Sequence, residues 1–98
     1  MSQARMTEIF EQRMVFKNYD SGSEDTTGDF LANDVETEAP AAQTLIYVTE
    51  DSLATFNESA KEIFLPAEAW TPIGFQVSSF NVKTTGAATG KAYWQAWY

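Results

Sequence analysis

The chain reads as an all-β protein, a small antiparallel β-sandwich or barrel with an extended N-terminal arm and an acidic connector. Three observations carry that reading. From residue 43 onward, short runs rich in branched and aromatic residues recur at strand length, each closed by turn residues. No helical stretch long enough to cover a parallel sheet is evident. The last eight residues, Lys91 to Tyr98, hold four aromatics in one extended run. Alternation there puts Ala92, Trp94, Ala96 and Tyr98 on one side and Tyr93, Gln95 and Trp97 on the other. Both sides are apolar enough to be covered, one by the core and the other by a second surface.

Charge divides the chain before the strands do. Residues 1–17 carry Arg5, Arg13 and Lys17 against Glu8 and Glu11. Residues 18–40 carry seven acids and no base, and residues 41–98 five acids and three bases. The expected organisation is an arm and acidic connector over 1–40 and a β-sandwich body over 41–98. In the arm, Met6, Ile9, Phe10, Arg13 and Met14 follow helical spacing, while Met14 and Phe16 alternate with Val15 and Lys17. A helical turn passing into an extended piece by Val15 fits both patterns. Residues 18–28 are rich in Asp, Ser, Gly and Thr and are expected to form a polar loop.

The body begins with Thr44–Thr49, bounded by Pro40 on one side and by Glu50-Asp51-Ser52 on the other. Leu53–Phe56 and Glu62–Leu65 are the next two strands, joined by a loop over 57–61 and closed by Pro66. Residues 67–72 are expected to be a connector, because two nearby prolines bar a central strand. Gly74–Lys83 is a long strand. Phe75 and Val77 share one parity and Phe80 and Val82 the other, so Ser78-Ser79 is expected to hold a bulge. The loop Thr84–Gly90, with its small residues and two glycines, suits a hairpin into the last strand.

Composition then narrows the function. Ninety-eight residues make one domain, and a net charge of −8 opposes binding to nucleic acid or anionic membranes. Without Cys or His there is no disulfide, thiolate zinc site, imidazole base or nucleophile–His pair. No apolar run approaches the roughly 18 residues of a membrane span, and the amino terminus lacks a signal-peptide core, so the expectation is a soluble protein made in the cytosol.

Asp20, Glu24, Asp25 and Asp29 could offer oxygen ligands. Counting from Asp20, however, the sixth and twelfth positions of a calcium loop fall on Asp25 and Leu31 in place of Gly and Glu, so a solvated acidic loop is the reading and no metal is expected. Glu58, Glu62 and Glu68 are the carboxylates that could act in pairs, but so small a domain, with its aromatics committed to a core, leaves little room for a substrate cleft. Neither a catalytic residue nor a cofactor is expected.

The aromatics remain. Trp70, Trp94, Trp97, Tyr93 and Tyr98, helped by Gln95 and Asn81, could form a sugar-stacking platform. In the alternative, Trp94 fills the core and Trp97 lies at an edge or an intersubunit seam, in keeping with the place of aromatics in cores and interface hot spots. The expected interface set is Met6, Ile9, Phe10, Met14 and Phe16 from the arm with Trp70, Tyr93, Trp97 and Tyr98 from the body. A third reading is an acidic adaptor or inhibitor that mimics nucleic acid toward a basic protein.

Ile63-Phe64-Leu65-Pro66, then Ala69-Trp70-Thr71-Pro72-Ile73, the strand from Gly74, the loop over 84–90 and the closing Tyr93–Tyr98 strand follow one another in a recognisable cadence. Over residues 62–98 this resembles the small β-sandwich modules of virion proteins of tailed bacteriophages. The resemblance implies a non-enzymatic structural subunit of the virion, a capsid cement (decoration) protein or a head or tail accessory protein. It further implies partners in the chain itself, as a homotrimer, and in a larger virion protein such as the major capsid protein. The long acidic connector departs from that pattern. The runner-up is a carbohydrate-binding module, possible within a tail appendage.

Overall fold

In a computed structural model, which describes residues 18–98, the chain crosses back and forth between two sheets. Its strands are β1 (Tyr19–Thr26), β2 (Val35–Ala41), β3 (Gln43–Val48), β4 (Ser52–Phe56), β5 (Ile63–Leu65), β6 (Trp70–Ile73), β7 (Val77–Thr84) and β8 (Gly90–Trp97). The front sheet has the order β1-β8-β3-β6 and the back sheet β2-β7-β4-β5. All strand pairs are antiparallel. Only the β4–β5 connection stays within one sheet, and the order is that of a jelly roll. The described residues contain no helix.

The two inner faces make one core. Ile46, Val48, Ile73, Ala92, Trp94 and Ala96 come from the front sheet, and Ala54, Phe56, Leu65, Val77, Phe80 and Val82 from the back. Phe80 joins them, its ring edge-on to Trp94 at 6.0 Å and 6.1 Å from Phe56. The alternation read in β8 holds: Ala92, Trp94 and Ala96 are buried, whereas Tyr93 and Gln95 are exposed.

Four expectations are corrected. Residues 18–28 are no loop: Tyr19–Thr26 pairs with β8 at eight successive positions. Backbone hydrogen bonds do not depend on side-chain polarity, so a neighbour with an apolar inner face can recruit a polar segment as its edge. Gly22 makes the fit possible, because a methyl group there would lie 2.8 Å from Trp94 Nε1. Second, both sheets take a strand from residues 19–41, so the sandwich is not confined to 41–98. Third, part of the 67–72 connector is strand β6. It lies at the edge of the front sheet, where Pro72 lacks only a donor that no neighbour needs. Fourth, the loop over 84–90 is no hairpin, since β7 and β8 belong to different sheets. Thr84 Oγ1 braces that crossing by donating toward the carbonyls of Gly86 (2.9 Å) and Ala88 (2.8 Å).

The parity change in β7 falls where expected, with Val77 buried, Ser78 exposed, and Phe80, Val82 and Thr84 buried. The extra residues of the register shift, however, lie opposite, in β2 between Glu36 and Ala41, and not at Ser78-Ser79. The strand begins at Val77 instead of Gly74. Beside the change, the Asn57 side chain extends the ladder, accepting from the Ser78 N–H and donating to the Gln76 carbonyl, each at 2.8 Å. Asn57 and Glu58 have φ of 54° and 62°, and the Ser59 N–H returns to the Phe56 carbonyl at 2.9 Å, a tight left-handed turn.

Candidate functional site: the outer face of the front sheet

Cross-strand register arranges the outward residues of the front sheet in rows. One row is Tyr19–Trp97–Gln43, the next Ser21–Gln95–Leu45–Pro72, the third Ser23–Tyr93–Tyr47–Trp70, and the fourth begins with Asp25–Lys91. Four strands that are far apart in sequence thus bring three tyrosines and two tryptophans onto one surface. Tyr19 is 72% exposed, Trp70 46% and Tyr93 39%, while Leu45, Tyr47 and Trp97 are half-buried among them.

The rings pack on one another without forming a flat plate. Tyr47 lies between Trp70, at 5.5 Å and 50°, and Tyr93, at 6.2 Å and 58°. Two shallow depressions of about 300 and 340 Å³ open on this face. Tyr19, Asp20, Ser21, Gln95 and Trp97 line the first, and Ser21, Gly22, Ser23, Trp70, Tyr93 and Gln95 contribute to the second. Ser21 and Gln95 are common to both.

Electrostatically this face differs from the rest of an acidic chain. Its rows contain Asp25 and Lys91, which approach each other to 3.9 Å, and Asp20 stands at the rim of the first depression. The Asp20 carboxylate accepts from the Ser21 N–H at 2.8 Å.

Of the interface residues expected from sequence, Trp70, Tyr93 and Trp97 come together here. Tyr98 does not: it packs against the core, its N–H donates to the Asn18 carbonyl at 2.9 Å, and its hydroxyl accepts from the Glu38 N–H at 3.0 Å. It therefore ties the end of the chain to β2. Met6, Ile9, Phe10, Met14 and Phe16 lie outside the described residues. The sequence reading missed Tyr19, Leu45 and Tyr47. Leu45 and Tyr47 were legible from their alternation with Thr44, Ile46 and Val48, but Tyr19 has no local signal and is placed by its pairing with Trp97.

Two members of the sugar-platform set are elsewhere. Trp94 is 6% exposed in the core, where its indole N–H finds no partner and its volume is what matters. Asn81 is buried on the back sheet, accepting from the Leu31 N–H at 2.7 Å and donating to the Leu31 carbonyl and to Asp34. The carboxylates do not share one setting: Glu62 pairs with Lys83 at 3.8 Å, and Glu58 and Glu68 occupy exposed left-handed turn positions.

No family profile matches the chain, and no curated protein matches it. Among solved structures it is similar to an ethanolamine utilization protein Q from Salmonella typhimurium LT2, with a TM-score of 0.51 and 14% identity. The likeness covers 81% of this chain and 57% of that one. At that identity the likeness is one of fold alone, and the two-sheet, all-β sandwich is read from this chain's own strand order.

Proposed function

We propose that the chain is a non-enzymatic structural protein of a phage virion, of the capsid cement or decoration kind, that self-associates and docks through the outer face of its front sheet. The observation that carries this reading is the surplus of aromatics. Phe56, Phe80 and Trp94 already supply the large rings of the core, yet Tyr19, Tyr47, Trp70, Tyr93 and Trp97 stand together on the opposite side of β8 and its neighbours. A sandwich needs one apolar face per sheet, and a second one with a near-neutral surface has the composition of an interface core. The jelly-roll order is shared by viral capsid domains, lectins and cupins, so the fold permits this role without selecting it.

Light scattering behind size exclusion, at two protein concentrations, tests self-association. Trp70→Ala removes an exposed anchor that the core does not use. The expected result is an oligomer for the parent chain and weakened association for the variant, with thermal stability within about 1 kcal/mol of the parent. A parent that is monomeric at both concentrations sinks self-association.

The two depressions keep a second reading in view, a carbohydrate-binding module. Gln95 and Ser21 between aromatic ends offer the polar and stacking groups such a site uses. The 50° and 58° ring tilts favour an irregular protein surface over a flat sugar ring. Saccharide quenching of tryptophan fluorescence at a fixed protein mass would favour the second reading.

A further inference from the structure

We infer that the occupant of this face is a second copy of the same chain, packed sheet to sheet about a two-fold axis that runs along the Ser21–Gln95–Leu45–Pro72 row. The inference rests on the self-association just proposed and specifies its geometry. Face-to-face packing of identical sheets requires a two-fold axis within the interface plane, so residues on the axis meet their own copies. The two depressions lie on either side of this row and share Ser21 and Gln95, and an axis there lays the first depression of one copy over the second of the other.

Large groups then meet small ones at two places, and aromatics meet each other at a third. Tyr19, the most exposed aromatic at 72%, falls over the second copy's Ser23, in the depression floored by Ser21, Gly22 and Ser23. Trp97 falls over the second copy's Tyr93, and Trp70 points its bulk toward the Gly74 end of the second copy's β6, where a side chain would meet nothing within 4 Å.

Charge agrees with the same axis. The axial row is uncharged, and the described rows on either side of it, Tyr19–Trp97–Gln43 and Ser23–Tyr93–Tyr47–Trp70, carry no charge either. In a chain of net charge −8, this is a surface on which two copies meet without opposing acids. Three overlapping rows about 6.6 Å apart on four strands about 4.8 Å apart cover roughly 400 Å² per copy in projection. For the pair that is about 800 Å², below the size of stable specific interfaces, so a weak, concentration-dependent dimer is expected.

The test is charge exchange on the axis, with the full chain followed by sedimentation equilibrium. Gln95→Arg and Gln95→Glu each set two like charges against each other, and each should weaken the dimer at least tenfold. An equimolar mixture of the two should restore a dimer, because opposite charges then meet. Ser21→Lys with Ser21→Glu repeats the experiment at a second axial position, should either Gln95 variant fail to fold by circular dichroism. Dimers that persist unchanged in the single variants overturn the axis, as does a mixture that stays monomeric. A trimer or larger ring overturns the two-fold geometry while leaving self-association intact, since a ring joins two different patches, such as this face and the exposed Ile63-Phe64 edge. A parent chain that is monomeric throughout overturns both.

Discussion

The two sheets share one core but finish their outer faces differently. On the back sheet, the outward side chains and a free backbone donor of β7 are answered from within the chain. Asn81 holds both backbone groups of Leu31 and the carboxylate of Asp34, and the Thr84 N–H holds the Thr27 carbonyl at 2.8 Å. Lys83 reaches the Phe30 ring, 4.6 Å from its centroid, and Glu62 at 3.8 Å. The stretch over 27–34 is thereby laid along β7. On the front sheet, the corresponding outward positions hold aromatics stacked beside each other with a single ion pair at one end. Polar groups thus fasten a loop on the back and leave the front face available to another surface.

The largest expected effect breaks the front sheet from beneath. Gly22→Ala puts a methyl group within 2.9 Å of the Trp94 indole, which is held by Phe80, so β1 or the indole must shift. A loss of about 1–3 kcal/mol in urea unfolding is expected, the usual range for overpacking. With β1 displaced, Tyr19 leaves the aromatic face, and association should fall too. Unchanged stability would mean that β1 does not lie against Trp94.

On the back, Asn81→Ala unfastens the loop. It strips partners from the Leu31 N–H and carbonyl and from the Val82 N–H. About 1–2 kcal/mol of destabilisation is expected, with faster amide exchange at Leu31 and no change in association. An effect on oligomer mass equal to that of Trp70→Ala would erase the distinction between the faces.

The smallest test compares two lysines. Lys83→Ala loses both the Phe30 ring and Glu62 and should cost about 0.5–1 kcal/mol. Lys91→Ala removes an exposed pair and should leave the melting temperature within error. Equal effects would show that the back face is no better fastened than the front.

How much of this was legible in the sequence depends on the range of the signal. The period-two alternation of residues 92–97 located Trp94 in the core and Tyr93 on the outside, because the pleat of a strand is a local property. The parity change at Ser78-Ser79 was visible for the same reason. Proline at 72 was correctly read as barring a central strand, but an edge strand satisfies that restriction equally well. The candidate site was legible only in part: Trp70, Tyr93 and Trp97 were named, but no feature within any one segment places them beside Tyr19 and Tyr47.

Local pattern and composition were therefore enough for the all-β class, the inside and outside of the apolar strands, and the exclusion of imidazole and thiolate chemistry. Tertiary structure alone decided that Tyr19–Thr26 is a strand, that β7 and β8 part into different sheets, and that five aromatics share one face. The reason is physical. Side-chain alternation is written residue by residue, whereas backbone hydrogen bonds accept almost any side chain, so which strands pair is settled by the closure of the whole sandwich around Phe80 and Trp94.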